Sequence, residues 1–351
     1  MKRKILGWTV LLVSVFTVSS IKVNAEGDSE IISGVDVSVT REINGVDPAS
    51  YTSPVMTRSG LQEVKVDIDK WEEEIKKDYL KDNPNFEGDV SIISMEEYED
   101  GKQPEEYKNR KLEELLESEQ DNIVQARGVA QTGPNLTHGA IAKAYLFFDN
   151  GRGGLIMADG SGFKVSGTKA GTAGHCVYDK EHGFGWVKTA TLNFGFRKDP
   201  RVGWIASSVY KVNKMTTNND WIKSKDHTQG IRSDFGSFHI SRSSGSVPPN
   251  VAMLTTPPNS LKNAVSWGVE AKSRYLTRST VDVTTSSIRS DWFNWVYQDR
   301  LGIMYGGMSG GPLFDGAGRV IGINSSEMND ANRTKVYTKI NSSAYNQIIA
   351  N

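Results

Sequence analysis

From residue 128 onward the chain breaks into short β-favouring runs separated by turn residues, and this rhythm most narrows what it can fold into. Ala144–Phe148, Ala190–Phe194, Ser208–Val212 and Val281–Thr285 read as strands. Asp315-Gly316-Ala317-Gly318 joins Pro312–Phe314 to Val320–Ile323 as a hairpin, and Lys335–Ile340 leads into a short helical stretch, Ala344–Ala350. Many short strands at regular spacing predict an all-β sandwich or a pair of barrels. The chain has a single cysteine, Cys176, so no intramolecular disulfide can form and core burial must supply the stability. Cys176 itself is expected as a small buried hydrophobe.

The 351 residues carry a net charge of only −1, which hides a strong split. Residues 26–127 hold 27 acidic and 12 basic side chains, whereas residues 128–351 hold 15 acidic and 25 basic ones. That asymmetry predicts an acidic pro-segment, 26–127, lying on a basic partner domain, 128–351. No aromatic-interleaved Lys/Arg cluster appears, which argues against nucleic acid as the partner. Within the acidic part, residues 26–60 read as loose, and amphipathic helices are expected over about 70–80 and 104–119. Before it, Lys2, Arg3 and Lys4 precede the mostly apolar Ile5–Ile21 and the small-residue site Val23-Asn24-Ala25. Residues 1–25 therefore predict a cleaved signal peptide and a secreted, extracellular protein. No later stretch approaches the ~20 apolar residues of a spanning helix, so no membrane association is expected after signal cleavage.

The chemistry concentrates in two short segments. Ser309 lies in Gly306-Gly307-Met308-Ser309-Gly310-Gly311-Pro312, where glycines permit sharp turns and bring N–H groups close to a developing oxyanion. His175 lies in Thr172-Ala173-Gly174-His175-Cys176 and is the side chain type suited to take a hydroxyl proton near neutral pH. Together they point to acyl transfer by an activated serine. A third residue should orient the imidazole, and Asp220, Asp226 and Asp234 all lie between His175 and Ser309. Asp234 is favoured because it leads into an alternating, strand-like run, Phe235–Ile240, whereas Asp220 beside Asn218-Asn219 reads as a turn residue. The remaining histidines, His138, His182, His227 and His239, lack metal-ligand spacing and read as surface or polar core positions. No cofactor and no metal are expected.

The order His, Asp, Ser, carried by Ala-Gly-His-Cys, Asp-Phe-Gly, Gly-Met-Ser-Gly-Gly-Pro and Val-Tyr-Thr-Lys before a terminal helix, resembles the chymotrypsin-like serine peptidases over about residues 135–351. The likeness is greatest to the secreted, disulfide-poor bacterial branch that includes glutamyl endopeptidases. It implies two six-stranded β-barrels, about 135–245 and 246–351, with the site between them. His175 would act as general base, Asp234 as its orienter and Ser309 as nucleophile. The N–H groups of Gly307 and Ser309 would form the oxyanion hole, and Ser325 would hydrogen-bond the aspartate and border the substrate.

Two departures from the family pattern bear on activation and specificity. Met308 stands where trypsin-like members carry the Asp that captures a new N-terminus, so that ion-pair switch is absent and removal of the acidic segment would have to activate the enzyme. Ile303 stands where the resemblance places the base of the specificity pocket, in place of the Asp that reads Lys and Arg, which argues against a tryptic preference. Lys335 resembles a pocket-lining position and would favour acidic side chains, although Asn324 replaces the usual histidine and Glu327 is placed to neutralise the lysine. A pocket floored by Ile303 and Met304 that takes apolar side chains is the competing reading. The sequence thus predicts a monomeric secreted endopeptidase made as a zymogen, with protein or peptide substrates, its own pro-segment as partner and processing near Glu117–Arg127. A catalytically inactive homologue that serves only to bind is the alternative from another class.

Overall fold

The computed structural model describes residues 30–33, 38–102 and 130–350, apart from 44, 58–61, 88, 135, 287, 289–294 and 331. The signal peptide, the helix expected over 104–119 and the processing region near 117–127 lie outside the described residues.

Two closed antiparallel barrels of six strands each carry the basic half, as the sequence predicts. The first comprises β1 (Ile141–Asp149), β2 (Gly154–Lys164), β3 (Lys169–Thr172), β4 (Thr189–Phe194), β5 (Ser208–Asn218) and β6 (Gly236–Gly245). Its strands run in the order β5-β4-β1-β2-β3-β6, and β5 pairs with β6 to close the ring. The second comprises β7 (Ser260–Val269), β8 (Leu276–Thr285), β9 (Val296–Asp299), β10 (Pro312–Phe314), β11 (Val320–Glu327) and β12 (Lys335–Lys339). Its order is β7-β10-β11-β12-β9-β8, closed by β7 on β8. Closure removes the open edges that would otherwise invite association. The hairpin β10/β11 turns at Gly318, which takes φ +73°. The terminal helix, Ser342–Ile349, is capped by Asn341 and returns from the second barrel to bury Ala344 and Ile348 in the core of the first.

β1 explains how the acidic segment fits. Ala142, Ala144, Leu146 and Phe148 face the interior of the first barrel, while Tyr145 and Phe147 face outward into a second apolar cluster. Period-2 alternation assigns one set to each face. The outward set is covered by Trp71 on helix α1 (Ile68–Asp82), whose ring meets Tyr145 at 5.0 Å and Phe147 at 4.9 Å. Asp67 caps α1 by accepting the Lys70 N–H at 3.1 Å.

The loose chain expected over residues 26–60 is not what forms: strands arise there and join the barrel. Ser38–Glu42 pairs antiparallel with the Lys214–Asn218 end of β5, beyond the stretch that β4 occupies. Gln62–Val66 pairs with Gly203–Ala206, and Ser91–Ser94 runs parallel to the start of β2. A polar sequence with weak periodicity becomes strand because a neighbouring sheet offers unpaired backbone groups. Strand pairing and apolar burial hold the described part of the segment, with ion pairs beside them. Arg197 grips Glu63 in a two-pronged pair, and His182 meets Glu99 at 3.3 Å.

Truncating Trp71 to alanine removes the largest fully buried side chain on this outer face. Trp71→Ala should cost about 3–5 kcal/mol, read as a lower denaturation midpoint of the full chain in urea.

Candidate active site

Each functional side chain is delivered by a loop at the junction of the barrels. His175 follows β3, where Ala173 is buried and Gly174 leaves room for its neighbours. A Cβ on Gly174 would lie 2.9 Å from Thr217 Oγ1 and 3.1 Å from Asp234 Oδ1, so the Ala-Gly-His spelling lets the aspartate approach. Asp234 sits between a short 3-10 turn (Ile231–Ser233) and β6 and is fully buried. The other two candidate aspartates serve locally. Asp226 accepts the Gln229 N–H at 2.8 Å as a helix cap, and Asp220 lies in the first turn of a helix capped by Asn218.

Asp234 Oδ1 accepts the backbone N–H of His175 at 2.8 Å, and Oδ2 accepts its Nδ1–H at 2.9 Å. Ser325 on β11 donates its hydroxyl to the same Oδ2 at 2.5 Å. Burial alone would push the Asp234 carboxyl up, but the His175 imidazole, then His227 and the Ser325 hydroxyl, hold it well below the usual carboxylate range. Burial likewise favours neutral His175, and the Asp234 charge outweighs this and raises its pKa well above the usual value. With Nδ1 committed to the aspartate, Nε2 is the nitrogen left for proton transfer.

Ser309 enters from the second barrel. Its hydroxyl donates to the Ser325 backbone carbonyl at 3.4 Å, so Ser325 touches both Ser309 and Asp234. The serine's own carbonyl accepts the Ser161 N–H at 2.7 Å and faces the Cys176 thiol at 3.6 Å. Cys176, buried as expected, thus packs between the histidine and serine segments.

The oxyanion geometry follows from where the carbonyls are tied. Gly306 O accepts the Ala271 N–H at 2.7 Å, and Met308 O accepts the Asn324 Nδ2–H at 3.0 Å. In a planar trans peptide the N–H points away from its C=O. The Gly307 and Ser309 N–H groups are therefore turned from those partners. Gly307 has φ +87°, and a Cβ there would lie 2.6 Å from Ala271 N. Only glycine fits without strain.

The expected pocket residues divide. Ser325 borders the site as described. Asn324 is fully buried and does not present its amide to a substrate: Nδ2 donates to Trp267 O and Met308 O, and Oδ1 accepts from Ser266. It braces the nucleophile loop instead. Met304 packs into the second barrel's core, and Ile303, half-buried, donates its N–H to Ser279 Oγ at 3.0 Å. Lys335 Nζ pairs with Glu327 at 2.8 Å and donates to Arg333 O at 2.7 Å, so its charge is already answered. Met308 is fully buried in the apolar cluster of the second barrel, and its sulfur accepts the Tyr305 N–H at 3.3 Å.

Sequence reasoning did not find Ser161 or His227. Ser161 donates its hydroxyl to Gly307 O and accepts the Val269 N–H, each at 2.8 Å. It is one serine among many, with no local motif to distinguish it. His227, expected as an ordinary polar residue, stands with its ring 5.3 Å from that of His175. Ligand atoms of His175, His227 and Asp234 lie within 4.8 Å of one another; His175 Nδ1 is bonded to Asp234 Oδ2, while His227 faces Glu181 and Ser325.

Residues 160–323, which include His175, Asp234 and Ser309, match the family model of the trypsin-like peptidase domain. The protease Anisep from Arthrobacter nicotinovorans is similar in fold, with a TM-score of 0.50 at 17% identity over 64% of this chain and 100% of that one. A Glu endopeptidase structure matches with a TM-score of 0.50 at 13% identity, over 64% of this chain and 97% of that one. No curated protein matches the chain in sequence.

Gly307→Ala should strain the nucleophile loop and displace the Gly307 N–H, lowering stability and cutting kcat by about 10²–10³, the loss typical of one oxyanion donor. Circular dichroism and peptide hydrolysis measured on one preparation would check both halves of that expectation.

Proposed function

We propose that the chain is a serine endopeptidase. The observation that carries this is the His175 Nδ1–H to Asp234 Oδ2 bond, made to a fully buried carboxylate that also accepts the His175 backbone N–H. This arrangement holds one tautomer and one ring orientation. Nε2 takes the Ser309 proton as Oγ attacks the peptide carbonyl, and the N–H groups of Gly307 and Ser309 receive the negative charge on the carbonyl oxygen. Collapse expels the amine, which takes its proton from His175. Water, deprotonated by the same imidazole, then hydrolyses the acyl-enzyme.

The leader-like residues 1–25 support export, and processing near Glu117–Arg127 would make the enzyme as a zymogen. In this reading residues 38–102 remain part of the fold rather than a detachable cap, because their strands and Trp71 are built onto the first barrel. The paired state of Lys335 favours apolar over acidic side chains at the residue preceding the cut.

An active-site fluorophosphonate should label the wild-type chain, and Ser309→Ala should abolish labelling with folding retained. Absence of wild-type labelling before and after processing would count against the peptidase reading. Glu327→Gln should release Lys335 and raise cleavage after Glu relative to Leu by about tenfold, the order expected for a new charge-assisted contact. Cleavage profiling on a peptide library reads that ratio, and an unchanged ratio would place Lys335 outside the pocket.

A further inference from the structure

The second histidine beside Asp234 carries an inference that rests on the peptidase reading. We propose that His227 is a positioning residue for this chemistry, an imidazolium held between the carboxylates of Glu181 and Asp234 that moderates the basicity of His175.

Hydrogen-bond accounting leads there. His227 opens the short helix His227–Gly230, and its ring packs edge-on against Trp221 at 5.1 Å. Nδ1 faces Glu181 Oε1 at 3.1 Å, while Nε2 faces Ser325 Oγ at 3.3 Å and Asp234 Oδ2 at 3.7 Å. The Ser325 proton is committed to Asp234, so both oxygens offer only lone pairs to Nε2. A neutral imidazole has one N–H and one lone pair. With the proton on Nδ1, the Nε2 lone pair meets those two oxygens. With the proton on Nε2, the Nδ1 lone pair meets the Glu181 carboxylate. Only the doubly protonated ring gives each nitrogen an acceptor. The same contact leaves its mark on Glu181, whose carboxyl is lowered chiefly by the hydrogen bond from His227, with burial opposing.

The remaining charged groups around the ring fit this arrangement. Lys180 Nζ lies over the Trp221 ring at 3.5 Å and donates to the Asp226 backbone carbonyl at 2.8 Å. The Asp226 side chain is occupied with the Gln229 N–H. His175 is the other titratable ring nearby, and a cation on His227 disfavours a second cation there. Asp234 thus shares its charge between two rings. The consequence is that His175 loses its proton, and becomes a competent base, at a lower pH than Asp234 alone would allow.

The test uses the full chain, with initial rates of fluorophosphonate labelling measured across pH. For His227→Gln the acid limb should move upward by about one pH unit, so that at the foot of the limb the variant is roughly tenfold slower relative to its own alkaline plateau. Glu181→Gln should move the limb in the same direction by less. A limb that stays in place while all rates fall together would mean that His227 only packs, and would overturn the proposal. Imidazole ¹⁵N spectra give a readout independent of activity: the His227 signals, assigned by their absence in His227→Gln, should be those of a doubly protonated ring at pH 7. A neutral tautomer there also overturns the proposal. Failure of wild-type labelling would sink the peptidase reading, while the ¹⁵N spectra would still decide the charge state of His227.

Discussion

The carboxylate of Asp234 is the interaction on which the rest of the structure depends. An ion buried without partners costs several kcal/mol, and the groups that answer this one come from both barrels. His175 supplies a backbone and a side-chain donor from the first, and Ser325 a hydroxyl from the second. Neither barrel alone can satisfy the charge, so docking of the two and assembly of the site are one event. The residue after it is tied similarly: Phe235 O accepts from Thr217 on β5 and from Gln347 on the terminal helix. The C-terminal helix is thereby a strap that crosses from the second barrel to hold the aspartate's own segment in place.

The nucleophile loop is held by a complementary device. Ser161, on β2 of the first barrel, contacts Ser309 O through its backbone and Gly307 O through its hydroxyl. Asn324 secures Met308 O from the other side. With three successive carbonyl anchors, the amides between them have little freedom to reorient. Preorganisation of that kind is what stabilises charge in a transition state without reorganisation at the moment of reaction. Met308 contributes by filling the apolar core of the second barrel.

Much of this was legible in the amino-acid sequence, for identifiable reasons. Strand runs such as Ser208–Val212 and the Asp315–Gly318 turn were readable because alternation and turn chemistry act locally. Asp234 could be preferred because a strand start can bury a carboxylate, while Asp220 beside Asn218-Asn219 reads as a turn residue; in the fold Asp220 and Asp226 both sit where short helices begin. What escaped was non-local. The strand Ser38–Glu42 has no strong pattern of its own and exists by virtue of the edge of β5. A clue was present in the unbroken apolar run Ala144–Phe148: a strand apolar on both faces needs a cover on each, and α1 is the outer cover. Asn324 and Lys335 were assigned to the pocket from their positions in the chain; Glu327 could be foreseen as the lysine's partner, but Trp267 and Ser266, which hold Asn324, could be known only from the fold.

The addition of Ser38–Glu42 to β5 has a mechanical meaning for maturation. Scission of the chain after residue 102 would generate a nicked, two-fragment particle, with the shorter piece clamped by a backbone ladder and an indole. The two would migrate as one body in solution and part only under denaturing conditions. What a proteolytic cut alters in such a particle is the freedom of the newly made ends, while the scaffold behind the scissors stays whole.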